Sequence, residues 1–174
     1  MVPLVETARL ILRGHRHSDL EPQAAMLRDP AVARYLGGHA FGREDSWRRL
    51  LAARGAWELL GYGYWAVERQ ADGAYIGLCG FADFKRDMTP SIEGLPEMGW
   101  IFAAHGQGQG YATEAVAAGL RWADAALSGQ EITAIIDPAN NASIRLAEKS
   151  GFSLREDARY NDETILLMRR PPGT

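Results

Sequence analysis

Three glycines, Gly106, Gly108 and Gly110, alternate with Gln107 and Gln109 between an apolar run ending at Phe102 and an alanine-rich run beginning near Tyr111. This pattern reads as a strand-to-helix turn that could hold a phosphate, with a merely flexible connection as the alternative. Glycine lets the backbone turn sharply and approach a ligand with no Cβ in the way, and the first N–H groups of a helix have no intrahelical acceptor. Together with the positive end of the helix dipole, those groups favour an anion. No Lys or Arg lies between Ala103 and Leu120, so neutralisation falls to backbone amides. The spacing excludes two common nucleotide fingerprints. A P-loop requires a lysine after its last glycine, and a dinucleotide turn requires Gly-x-Gly-x-x-Gly; Gly106-x-Gly108-x-Gly110 meets neither.

The rest of the chain reads as alternating strands and helices. Leu10 to Gly14 is a strand, a helix starts near Ser18-Asp19 and is interrupted at Asp29-Pro30, and Gly42-Arg43-Glu44-Asp45 opens another helix with an acidic first turn suited to the dipole. Tyr64 to Arg69 and Tyr75 to Phe84 form a hairpin around Ala71-Asp72-Gly73, residues 87–96 form a loop, and Glu97 to Phe102 is the next strand. In the alanine-rich run Val116, Leu120, Ala123 and Leu127 fall on one helical face. Ile132 to Asp137, Phe152 to Asp157 and Thr164 to Arg169 are strands, with a short helix after Asn141 capped at its end by Gly151; Pro171-Pro172 and Gly173 are expected to fray. Local physics alone gives a single α/β domain over residues 1–174 with a mixed sheet.

Two segments together carry a resemblance. Gln107-x-x-Gly110-x-Ala112 resembles the Arg/Gln-x-x-Gly-x-Gly/Ala signature of the GCN5-related N-acetyltransferases, the GNAT superfamily. Asn140-Asn141-Ala142-Ser143, followed by a helix that closes in Gly151-Phe152, resembles that superfamily's second cofactor segment, although by itself it is also an ordinary capped helix. Glu6-Thr7-Ala8-Arg9-Leu10-Ile11-Leu12-Arg13 resembles the opening strand of the RimJ/RimL-like branch, and the likeness runs to about Arg169.

The resemblance implies a mixed, mostly antiparallel sheet of roughly six to seven strands with a splay between its two central strands, flanked by about four helices. It implies acetyl-CoA as co-substrate, with the pyrophosphate on Gln107, Gly108, Gln109, Gly110, Tyr111, Ala112 and Thr113. It also places the pantetheine arm along Ile101 and Phe102, with Asn140 and Ser143 beside it. Gly99 fits a strand that a ligand approaches closely. The implied reaction is direct transfer of an acetyl group to a primary amine, on a protein N-terminus or a small molecule, in a ternary complex.

Such a transfer needs a neutral amine, a stabilised oxyanion and a leaving thiolate. An α-amino group, with a pKa of about 7.7 to 8.0, is partly neutral near pH 7, whereas a lysine-like amine near about 10.4 needs a base. The resemblance puts Glu97 at the base position, acting directly or through water; a solvated strand-end carboxylate and an anchor for the substrate ammonium are the alternatives. An N–H near Phe102 would hold the oxyanion. Where many members carry a tyrosine acid this chain has Ala147, which leaves Ser143 as the nearest polar substitute, with Tyr111 and Tyr160 as rival donors. That departure supports a second reading, a CoA-binding regulatory or interaction module with weak or lost turnover.

Bulk properties set the remaining expectations. A 47% hydrophobic and 24% charged composition is that of a globular protein, and a net charge of −3 without basic clusters argues against a nucleic-acid partner. The single Cys79, flanked by Ile76-Gly77-Leu78 and Gly80-Phe81, reads as a small core residue in a strand. His15, His17, His39 and His105 lack the spacing of a metal site. The opening residues lack a signal-peptide run and no stretch approaches a membrane span, so a cytoplasmic monomer or homodimer without metal is expected. His39 and Phe41 lie in a connection that the resemblance places beside the acceptor, while Trp47, Trp57, Tyr62, Tyr64 and Trp65 read first as core.

Overall fold

A computed structural model describes residues 1–37 and 41–173. His39, expected beside the acceptor, lies outside the described residues. In chain order the strands are β1 (Val5–Glu6), β2 (Leu10–Arg13), β3 (Tyr64–Arg69), β4 (Tyr75–Ala82), β5 (Met88–Thr89), β6 (Glu97–Phe102), β7 (Ile132–Ile136), β8 (Leu154–Tyr160) and β9 (Glu163–Arg170). The helices are α1 (Leu20–Arg28), α2 (Pro30–Ala33), α3 (Arg43–Leu60), α4 (Tyr111–Ala126) and α5 (Asn141–Lys149). Single 3-10 turns lie at His17–Asp19 and Ala104–Gly106.

The described residues thus form nine strands and five α-helices, more of each than expected, while the mixed, mostly antiparallel class holds. The additional strands are the two-residue β1 and β5, too short to leave an alternating pattern in sequence. Met88–Thr89, expected as loop, is a strand because it pairs with Tyr160 and Arg159 of β8. The additional helix comes from Pro30. Proline has no N–H to continue α1 but fits a helix start, and Asp29 caps the new helix by accepting from the Ala31 N–H at 2.9 Å.

The chain divides into two compact units, residues 1–80 with 100–119 and residues 81–99 with 120–174. In the first, β1, β2, β3 and β4 pair antiparallel in sequence order, with Ala66 opposite Leu78 and an irregularity between Val67 and Glu68. The C-terminal end of β6 joins through the Ala103 N–H, which donates to the Ile76 carbonyl at 3.0 Å. A core of Met26, Leu27, Val32, Phe41, Ala66, Tyr75, Leu78 and Ala103 fills this unit, with Ile101 packed against it. A buried ion network ties β2 to the turn after it: Arg13 grips both carboxylate oxygens of Asp19, at 2.8 and 2.9 Å, and donates through Nε to Glu68 at 2.6 Å. Asp19 therefore serves the network and makes no side-chain cap on α1.

In the second unit the start of β6 pairs parallel with β7 at Glu97 and Thr133. β7 pairs antiparallel with β9, β9 with β8, and β8 with β5. Met88, Ile92, Ala158 and Leu167 form its buried cluster. Helix α5 starts one residue earlier than expected, and its cap is Asn140 rather than Asn141: the Asn140 carboxamide oxygen accepts from the Ser143 N–H at 3.1 Å. Gly151 takes φ +90° just past its end, as a glycine terminator does.

Candidate active site

The glycine-rich turn sits in the first unit at the head of the 16-residue α4. Gly108 and Gly110 adopt φ +72° and +79°, a region that an L side chain enters only with strain. Gly106 and Gln107 N–H groups close the preceding 3-10 turn on Ala103 and Ala104 carbonyls. Among the described residues no acceptor meets the backbone N–H groups of Gly108, Gln109, Gly110, Tyr111, Ala112 or Thr113. This row of unpaired donors at a positive helix end is the local structure expected of an anion cradle.

The two glutamines act on the turn itself. Gln107 Nε2 donates to the Phe102 carbonyl and Gln109 Nε2 to the His105 carbonyl, each at 2.9 Å. Phe102 is buried, its own carbonyl is taken by Gln107, and Ile101 is half-buried beside the first unit's core. β6 runs so close to β4 that a Cβ added to Gly77 would strike the Ile101 carbonyl. The connection is therefore fixed on the strand side by side-chain-to-carbonyl bonds and on the helix side by the Glu114 N–H to Gly110 carbonyl bond at 3.1 Å.

Arg9 and Glu114 also meet at the turn. Arg9 Nε donates to Glu114 Oε2 at 2.7 Å, the Arg9 backbone N–H and the Thr7 hydroxyl donate to Oε1 at 2.9 and 2.6 Å, and Arg9 Nη1 donates to the Gln109 carbonyl at 2.9 Å. The Arg9 guanidinium lies 4.5 Å from the centre of the buried Tyr111 ring. Burial works against the Glu114 charge, but these hydrogen bonds outweigh it and hold the carboxyl below its usual range. Arg9 and Glu114 lie 105 residues apart in sequence. Nothing local in either segment signals this pairing, so it is not legible in the sequence.

Glu97 lies in the second unit and is buried, with only 5% of its surface exposed, which removes the solvated strand-end reading. Arg86 holds both of its oxygens, Nε at 2.6 Å and Nη2 at 2.9 Å. The same guanidinium donates through Nη1 to the Tyr160 hydroxyl at 3.0 Å and sits over the rings of Phe84 and Tyr160. Burial opposes the Arg86 charge; its bonds to Glu97 overcome that and raise its pKa. Asn140 spends its oxygen as the α5 cap, and Ser143 is the residue whose N–H it receives. Ala147 is fully buried. Cys79 is fully buried too, its thiol pushed up to about 12 by desolvation, as suits a core residue. His15 is buried, and among the described residues neither of its ring nitrogens has a partner; His17 packs edge-on to Trp47.

The acetyltransferase (GNAT) domain model matches residues 9–153. The uncharacterized protein YkkB of Bacillus subtilis (strain 168) is 34% identical over 114 residues, a match that spans 63% of this chain and 63% of that protein, under two thirds of its length. Among solved structures, a Bordetella pertussis protein assigned to the GnaT acetyltransferase family is 30% identical, with a TM-score of 0.84 over 97% of this chain and 99% of that one. RimL, a ribosomal alpha-N-protein acetyltransferase solved in complex with coenzyme A, shares the fold at a TM-score of 0.77 and 14% identity, over 98% of both chains. With a family model covering most of its length and a full-length structural relative, the chain belongs to the GNAT acetyltransferase family.

Proposed function

We propose that this chain, acting as one domain, transfers an acetyl group from acetyl-CoA to a primary amine, within the RimJ/RimL-like branch. The observation that carries this reading is the unpaired N–H row from Gly108 to Thr113 at the head of α4. A diphosphate supplies the negative oxygens that those donors lack. A Cβ at Gly108 or Gly110 would have to enter the left-handed region, so both glycines suit a cradle. Gln107, Gln109, Tyr111, Ala112 and Thr113 complete it, and the pantetheine arm follows Ile101 and Phe102. Asn140 and Ser143 are the further cofactor contacts that the family resemblance implies.

In the proposed reaction the neutral amine attacks the thioester carbon, the C–S bond breaks and the thiolate takes a proton. A backbone N–H near Phe102 stabilises the oxyanion. Glu97 receives the amine proton, directly or through a water. Each of its oxygens already accepts one hydrogen bond from Arg86 and keeps a second lone pair for the incoming proton. Ser143 assists the thiolate by donating a hydrogen bond; a thiol with a pKa near about 8.5 leaves with modest help.

The buried Ala147 and the occupied Glu97 favour a second reading, a module that binds CoA with little turnover. One experiment separates the two. The protein is incubated with acetyl-CoA, a thiol reagent and a panel of amines and protein N-termini, with mass detection of an added acetyl group. Acceptor-dependent thiol release with a product of acetyl mass supports the enzyme; tight binding without release supports the module. Loss of CoA binding on Gly110→Glu is expected under both readings, and unchanged binding would remove the cradle.

A further inference from the structure

We propose that Arg9, with Thr7 and Glu114, is the positioning group of the phosphate turn, so that the opening strand serves cofactor binding from outside the cofactor motif. The inference rests on the cofactor reading of the turn. Its physical core is the orientation of one peptide. In a trans peptide the C=O and the following N–H point in opposite directions, and among the described residues the only cis bond is Thr89–Pro90. Arg9 Nη1 draws the Gln109 carbonyl toward itself. The Gly110 N–H is thereby turned away from Arg9, and among the described residues neither it nor the N–H groups of Tyr111, Ala112 and Thr113 meet a protein acceptor.

Glycine at φ +79° would otherwise leave this peptide free to rotate. Arg9 restricts that freedom because its guanidinium is itself held on two sides: Nε is tied to Glu114, and Cζ lies over the Tyr111 ring, 4.5 Å from its centre. Thr7 and the Arg9 backbone N–H fix the other Glu114 oxygen, so the acid cannot swing toward the anion side. Glu114 at the helix head would repel a diphosphate if it were unpaired. Paired with Arg9, it instead locks the turn, and the cation offsets its charge.

The test is a binding measurement and needs no acceptor. Titration calorimetry compares acetyl-CoA with S-acetylpantetheine, which lacks the diphosphate, on the wild type, Arg9→Gln, Arg9→Lys and Gly110→Glu. Arg9→Gln is expected to weaken acetyl-CoA roughly tenfold, the scale of a charge-assisted hydrogen bond, and to leave S-acetylpantetheine unchanged. Arg9→Lys should recover part of the loss, because an ammonium can keep Glu114 but not the fork that also reaches Gln109. Equal weakening of both ligands, or of neither, overturns the positioning role. If Gly110→Glu binds acetyl-CoA like the wild type, the cofactor reading fails and takes this inference with it; if Gly110→Glu abolishes binding while Arg9→Gln does not weaken it, only the inference fails. Should Arg9→Gln fold poorly by circular dichroism, Thr7→Val serves in its place, with about a twofold to threefold loss expected for acetyl-CoA alone; no loss, or the same loss for both ligands, counts against the brace.

Discussion

Arg86 holds Glu97 by both carboxylate oxygens, at 2.6 and 2.9 Å, with the acid side chain only 6% exposed. A buried carboxylate is tolerable because the guanidinium is present, so removing the cation alone leaves an unpaired buried charge. Arg86→Met is expected to destabilise the fold by about 3 to 5 kcal/mol, read by urea unfolding. The double substitution Arg86→Met with Glu97→Leu should regain much of that loss, since neither charge is then stranded. Glu97→Gln should retain acetyl-CoA affinity and lower the rate most for strongly basic amines; equal rates across acceptors would limit Glu97 to a structural role.

His15 makes stability depend on pH. Burial lowers its pKa from about 6.5 to about 4; Asp19 opposes that shift, and Arg13 and Arg54 reinforce it. The folded chain therefore keeps the imidazole neutral while the unfolded chain protonates it. Stability is fully present above about pH 6.5 and is lost as pH falls toward 4, by roughly 3 kcal/mol in all. The depressed pKa of the Arg13-paired Asp19 adds a further loss below its unfolded value, in the same direction. Urea titrations at pH 7.5 and pH 5 should show the first part of this slope, and His15→Gln should flatten it.

Ala147 occupies a packed position, the one at which the family resemblance implies a tyrosine acid. Its surface is fully buried and its carbonyl accepts from both Ser150 and Phe152 N–H groups. Ala147→Tyr is therefore expected to cost about 1 to 3 kcal/mol or more by overpacking and not to raise turnover. A stable variant with a faster rate would show that α5 has room for a tyrosine acid.

Cys79 should be inert in the native protein. With no exposed surface and its thiol pushed up to about 12, it should resist an aromatic disulfide reagent at pH 8 and react fully after denaturation. Rapid native labelling would mean that β4 opens readily.

Local signals decided what the chain could declare in sequence. The turn before α4 was legible because only glycine accepts φ +72° and +79° at Gly108 and Gly110 without strain, and the helix after it announced itself by its apolar face. The hairpin of β3 and β4, the break at Pro30 and the stop at Gly151 are similarly written in neighbouring residues. Tertiary structure alone decided which side chains meet. Arg9 reaches Gln109 and Glu114 across about a hundred residues, β5 exists only because β8 offers it a partner, and Glu97 is clamped because Arg86 folds back on it. Backbone conformation is fixed by sterics within a few residues, whereas hydrogen bonds and ion pairs depend on strand register and on burial, which only the folded chain establishes.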